Sequence, residues 1–268
     1  MSFLAGHFNV RTIINSDMRD SLIQCISGVL QVTDYIPIFE QLEVRYEFCE
    51  ALLRSFDAHC WLPVTSILLR QWRGSGFGDG LSIESQAAPK TGSEELQVVF
   101  VQCCENAPQQ TADFLNRVFD NLNWTMTEFG LSLSEVDSQQ DELGSSQIHR
   151  KCTIMFELSV NLLRVLEFCC LRLSKSFLDS AAEGSQVSLT RLVELMVHVL
   201  NKTTTGNESR TFDRYAIDLS LIRLLRMVGL TECGVQGRRA TGARTREGQP
   251  AVDLPATCWR DRQPAPRG

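Results

Sequence analysis

Several features are scarce or missing from this sequence, and each absence narrows what the chain can be. Met1 to Arg11 holds one arginine and no apolar run of about 7 to 15 residues, so it lacks the layout of a secretory signal. The most apolar stretch, Cys152 to Leu173, is interrupted by Glu157, Arg164, Glu167 and Arg172. A charge at a bilayer centre costs about 2.5–3.5 kcal/mol, so this stretch reads as a helix of a soluble protein. Positive charge is short too. Lys+Arg number 26 against 32 Asp+Glu, a formal net charge of -6, which excludes a domain-wide basic footprint for nucleic acid. With 8 prolines and 17 glycines in 268 residues, the chain is neither collagen-like nor of low complexity. Strand-like alternation is scarce.

What is plentiful is apolar sequence at helical spacing. Ser16 is placed to cap a helix facing inward through Met18, Leu22, Cys25, Ile26 and Val29, with Asp17 at the positive end of its dipole. Asp34 opens a short helix through Phe39, and Pro37 is tolerable in a first turn. Val44, Phe48, Cys49, Leu52, Leu53 and Phe56 mark the next face; Trp61, Val64, Leu68 and Trp72 follow, with Gly74 as the terminating residue. Residues 74–92 read as a linker. Helicity resumes at Ser93 with Leu96, Val99, Phe100 and Cys103, breaks at Asn106-Ala107-Pro108, and resumes again with Leu115, Val118, Leu122, Met126 and Phe129.

Residues 134–146 are polar and acidic and read as a loop. Ile148 to Leu173 is the longest helix, apolar on most sides, and such a helix must be covered by others. Leu189, Leu192, Val193, Met196, Val199 and Leu200 form a further face; residues 201–210 read as a loop; Phe212, Tyr215, Leu219, Ile222 and Leu225 mark a last helix. The expected fold is all-α: an irregular, solenoid-like helical-repeat stack of nine or ten helices over residues 8–230. Residues 231–268 carry seven arginines, four acidic residues and no periodicity, and read as a disordered, atypical tail.

Groups that could carry chemistry are present but not arranged for it. The ten cysteines (25, 49, 60, 103, 104, 152, 169, 170, 233 and 258) include no pair separated by two to four residues, the usual entry to a zinc site. They read as reduced thiols of a cytosolic or nuclear protein, with cytoplasmic the default, and the sequons at Asn123, Asn201 and Asn207 then carry no glycan. The histidines are His7, His59, His149 and His198, and only His59 adjoins a thiol, Cys60. Gly74-Ser75-Gly76-Phe77-Gly78-Asp79-Gly80 imitates a phosphate loop, but it follows a helix rather than a strand. Glu94, Glu95, Asp137, Asp141 and Glu142 belong to caps or loops. Trp61, Trp72 and Trp124 match core periodicities, with partner anchoring as the alternative. No catalytic, cofactor-binding or metal-binding residue is assigned.

Four segments resemble a known family: Phe8-Asn9-Val10-Arg11-Thr12 with Ser16-Asp17-Met18-Arg19-Asp20; Leu69-Arg70-Gln71-Trp72-Arg73-Gly74-Ser75-Gly76-Phe77-Gly78; Phe114-Leu115-Asn116-Arg117-Val118-Phe119-Asp120-Asn121-Leu122-Asn123-Trp124; and Phe156 to Glu167 (FELSVNLLRVLE). Scattered in order from Phe8 to about Phe212, they are similar to the central region of the large RING- and SPRY-domain E3 ubiquitin ligases of the KPC type. The resemblance implies a helical scaffold between a SPRY recognition domain and a zinc-holding RING that recruits a ubiquitin-charged E2. It also implies protein partners: a ligase-complex subunit, a substrate, and the E2 through the RING alone. Neither nucleic acid nor membrane is implied. Neither module lies in this sequence, so the chain is expected to be a truncated member, without zinc and not catalytic alone, though its family is enzymatic. A non-catalytic helical-repeat adaptor in another cytosolic complex is the alternative.

Overall fold

Apolar residues recurring every three or four positions leave the chain one economical solution, helices packed on helices. The computed structural model describes residues 1–8, 13, 15–57, 59–74, 76–77, 92–138, 142–178 and 185–204. Among these the elements are α1 (Ser2–His7), α2 (Ser16–Val29), a 3-10 turn (Thr33–Tyr35), α3 (Ile36–Glu40), α4 (Arg45–Ser55), α5 (Trp61–Arg73), α6 (Glu94–Asn106), α7 (Pro108–Ser138), α8 (Glu142–Arg172), α9 (Lys175–Leu178) and α10 (Ser185–Thr204). No strand occurs among the described residues. The last expected helix, from Phe212 to Leu225, and the expected tail, 231–268, lie outside them.

Helix ends follow the local chemistry. Ser93 accepts the Leu96 N–H at 3.0 Å, and Glu94 and Glu95 occupy the first turn of α6. Gly74 ends α5 in the left-handed region at φ 66, where its N–H reaches the Arg70 carbonyl at 2.9 Å. Pro108 opens α7, where its missing N–H costs nothing. One cap differs from expectation. Asn15, not Ser16, starts α2: its side chain accepts from the N–H groups of Asp17 (2.9 Å) and Met18 (3.4 Å). The buried face also differs from the expected one: it holds Ile23, Ile26 and Ser27 with Leu30 beyond, while Met18 and Cys25 are exposed.

Two further corrections concern lengths. The acidic stretch at 134–146 is not a long loop, because α7 continues through Ser138 and α8 begins at Glu142. The stretch includes Glu and Gln, good helix formers, and holds no proline, so polarity alone does not end either helix. Residues 201–204, expected in a loop, continue α10. α1 has no counterpart among the expected helices.

α7 and α8 form a long antiparallel pair. The Ser159 hydroxyl donates to Thr125 Oγ1 at 3.0 Å, and the Phe129 and Phe156 rings lie 5.5 Å apart, so rising numbers on one helix meet falling numbers on the other. α5 packs on α2 and α8, α4 on α6, and α10 on α7. α5 is covered on nearly all sides: besides Trp61, Val64, Leu68 and Trp72, its Thr65, Ser66, Arg70 and Gln71 are buried. Leu162, Leu163 and Leu166 are 0%, 1% and 0% exposed on α8. Leu163→Ala should therefore lower unfolding free energy by about 2–5 kcal/mol in urea denaturation. An unchanged midpoint would place that side chain outside the core.

Candidate functional site

The polar residues at the end of α5 serve the fold. Trp72 stacks on Phe168 of α8, with centroids 3.7 Å apart and planes at 12°. Past the Gly74 turn, Arg70 Nη2 donates to the Phe77 carbonyl at 3.2 Å, which ties the glycine-rich start of the linker back to the helix. Arg73 faces Glu167 at 3.5 Å, and Gln97 Nε2 donates to the Trp72 carbonyl at 3.2 Å. The loop resembling a phosphate cradle thus opens as a helix stop held by an arginine; residues 78–91 lie outside the described residues.

Six of the buried thiols, Cys49, Cys60, Cys103, Cys104, Cys169 and Cys170, are held in their neutral form. Cys60 Sγ donates to Asp20 Oδ1 at 3.0 Å rather than pairing with its neighbour His59. Burial, then that hydrogen bond, pushes its pKa up to about 12. Burial likewise raises Cys103 to about 11 and Cys104 to about 12, and lifts Cys49, Cys169 and Cys170 well above the ordinary thiol range. Cys152 is buried as well, and Cys25 is exposed; Cys233 and Cys258 lie outside the described residues. A zinc site needs thiolates that converge. Among the described residues no group of three or more His, Cys, Asp or Glu is placed to hold a metal ion.

The remaining candidates divide. His7 is stacked on Phe3 at the surface, with ring centroids 4.7 Å apart, and the His59 N–H bonds Asp57 Oδ1 at 3.0 Å. Glu94 and Glu95 are exposed in the first turn of α6. The side chains of Asp137, Asp141 and Glu142 lie outside the described residues. Trp61 and Trp72 are core residues at 8% and 5% exposure, but Trp124 is not: it is 48% exposed. Its helix buries Leu115, Val118, Leu122, Met126 and Phe129, and position 124 lies two residues, about 200°, from Leu122. The core reading of Trp124 is therefore overturned, leaving a large aromatic on the outer side of α7.

Trp124 is part of a ridge. Asp120, Trp124, Glu128, Leu131 and Glu135 fall at i, i+4, i+8, i+11 and i+15, a single stripe about 22 Å long. Leu131 is 54% exposed, and the α7–α8 register puts Ile154, 43% exposed, opposite it. Two cations reach the ridge from neighbouring helices. Arg191 of α10 bonds Asn116 Oδ1 at 2.6 Å and Asp120 Oδ1 at 2.5 Å and lies over the Phe119 ring. Lys151 of α8 meets Glu128 at 2.8 Å, and that hydrogen bond raises its pKa, with Glu135 adding to the effect. Single-residue periodicity finds the helix; the outer placement of Trp124 shows only when its angle to Leu122 is weighed.

Fold and surface together define a helical-repeat protein. Residues 112–223 match a family model described as "RNF123-like, TPR repeat", a stretch that takes in nearly all of α7 and the whole of α8, α9 and α10. The chain is 38% identical over 214 residues to the E3 ubiquitin-protein ligase RKP of Arabidopsis thaliana, a match covering 80% of this chain and 16% of that ligase. No solved structure matches the chain. No described helix is long and apolar enough to cross a membrane.

A thiolate, not a thiol, is the nucleophile, so raised pKa values and burial predict silence. Under native alkylation with iodoacetamide at pH 8 followed by peptide mass spectrometry, Cys25 should label readily. Cys49, Cys60, Cys103, Cys104, Cys152, Cys169 and Cys170 should stay unmodified until denaturant is added. Labelling of Cys60 as fast as Cys25 would show that the Asp20 contact does not hold it.

Proposed function

We propose that the chain is a scaffold segment of a RING-type E3 ubiquitin ligase of the KPC type, working in the cytoplasm in protein ubiquitination and proteasomal turnover. In this reading it spaces a substrate-recognising module from a RING and makes protein contacts through its helical surface. It performs no bond chemistry of its own. The observation that carries the reading is the 38% identity to an E3 ubiquitin-protein ligase, sustained over 214 residues. The physical character of the body agrees with it, since apolar residues line the helix contacts and the buried thiols are neutral. In a helical stack each unit contacts chiefly its neighbours, which gives an extended surface suited to contacts with other modules.

Two measurements check this. The purified chain, incubated with E1, E2, ubiquitin and ATP, should build no ubiquitin chains, and elemental analysis should find no stoichiometric zinc. The Arabidopsis ligase carrying this chain's similar segment in place of its own should keep ubiquitin transfer. Transfer by the isolated chain, or a folded chimera without transfer, would overturn the scaffold reading.

A further inference from the structure

We propose that Lys175 is a ubiquitin-acceptor site, and that the lysine-poor surface around it withholds competing acceptors. The proposal rests on the scaffold reading for one thing alone, the presence of activated ubiquitin beside the chain. Its first support is the choice of cation. Lysine is ordinarily among the commonest residues of a soluble protein. Here four of the 26 basic residues are lysine (Lys90, Lys151, Lys175 and Lys202) and 22 are arginine. The two carry the same charge but differ in reactivity: a guanidinium stays protonated, whereas a lysine amine accepts ubiquitin. Nor does the fold require a guanidinium at each position. Arg54 is 47% exposed and makes one (i,i+4) contact, 3.4 Å to Glu50, of a kind that lysine makes equally well.

The second support is geometry. Lys90 and the side chain of Lys202 lie outside the described residues, and the other two lysines are placed unequally. Lys151 lies within α8, 46% exposed, with its Nζ 2.8 Å from Glu128 of α7, whose side chain is 27% exposed. That hydrogen bond favours the ammonium and holds its pKa above the usual lysine value, with Glu135 adding to the effect. An ammonium has no lone pair to give, so Lys151 is spent on tying α8 to α7.

Lys175 stands instead on the turn between α8 and α9. Leu173 and Phe177 are buried on either side of it, and the Ser176 and Phe177 N–H groups donate to the Leu173 (2.9 Å) and Ser174 (3.1 Å) carbonyls. The base is therefore ordered while the side chain is 83% exposed. Its neighbours in sequence, Ser174 and Ser176, are too small to obstruct a bulky acyl donor. Its partner Glu105, 3.2 Å away, is 53% exposed, and a pair so open to water contributes little and releases the amine readily. The ammonium first loses a proton to water. The Nζ lone pair then attacks the carbonyl carbon of the thioester that joins the ubiquitin C-terminus to an E2 cysteine. The N–C isopeptide bond forms, the C–S bond breaks, and the E2 sulfur leaves as a thiol with the second proton of the amine.

The test uses the full chain, expressed in eukaryotic cells with the proteasome blocked, then purified and digested with trypsin. Ubiquitin leaves a Gly-Gly remnant on its acceptor lysine, which mass spectrometry counts site by site. The remnant should be several-fold more abundant at Lys175 than at Lys151, and Lys175→Arg should not move it to Lys151. Arg54→Lys should gain a remnant at position 54, because the surface there is open and only the amine is missing. Both substituted side chains are exposed, so the variants should keep the wild-type melting temperature. A Lys175 without remnant, equal occupancy of Lys151, or no remnant at position 54 in Arg54→Lys would overturn the proposal. A second measurement needs no ubiquitin: an acetylating ester at neutral pH should modify Lys175 of the purified chain several-fold faster than Lys151, and equal rates would also overturn it. The two readings fail separately. A chimera without transfer, beside a full chain modified at Lys175, removes the scaffold and leaves the acceptor; a chimera with transfer, beside a bare Lys175, does the reverse.

Discussion

The body is held together by a chain of aromatic rings that passes through five helices. Phe56, at the end of α4, meets Phe114 of α7 edge-on at 4.9 Å, and Phe114 meets Phe100 of α6 at 6.0 Å. Phe100 touches Trp72 of α5 at 5.2 Å, and Trp72 stacks on Phe168 of α8 at 3.7 Å. Each such pair contributes about 0.5–1.5 kcal/mol beyond the area it buries. Their larger effect is geometric. Aromatic pairs hold preferred angles, so a connected run of them fixes how α5 and α8 pass each other. Around those two helices α6 packs on α5 and α7 on α8, while α4 packs on α6 and α10 on α7.

This arrangement also decides where function can lie. The interior of the described residues is committed to packing: its polar groups bond the backbone or one another, as Thr65 bonds the Trp61 carbonyl at 2.7 Å and Ser159 meets Thr125 across α7 and α8 at 3.0 Å. The outer side of the longest helices is different. α7 runs through 31 residues, of which one face covers α8, and the opposite side keeps Trp124 and Leu131 in solvent. A protein that acts through its surface, by positioning other proteins, is what such an allocation permits.

Much of this was legible in the residues. The 3.6-residue period located α4, α5, α6, α8 and α10, and Asn106-Ala107-Pro108 marked the α6–α7 boundary to the residue, because a proline fits the first turn of a helix and no later one. Three things escaped for physical reasons. A cap is a competition between neighbours, and Asn15 takes it ahead of Ser16; the inward face of α2 is decided separately, by packing, and holds Ile23, Ile26 and Leu30 while Met18 stays exposed. Polarity is not a helix breaker, so Ser134 to Ser138 stayed helical. Trp124 lies among buried residues in sequence but about 200° from Leu122 around the axis, and hydrophobicity alone assigned it inward. The similarity to an E3 ligase segment came from the order of residues such as Phe114 to Trp124, not from any site; no periodicity argument yields it.

The central claim is that the aromatic chain makes α5 and α8 a single cooperative unit although Trp72 and Phe168 are 96 positions apart in sequence. Native-state hydrogen exchange read by mass spectrometry tests it most directly, because helices that open together share one protection free energy. The amides of α5 and α8 should fall in the same, slowest-exchanging class and lose protection together when Phe100 is replaced by alanine. Exchange of α5 through its own lower-energy opening, with α8 still protected, would contradict the account.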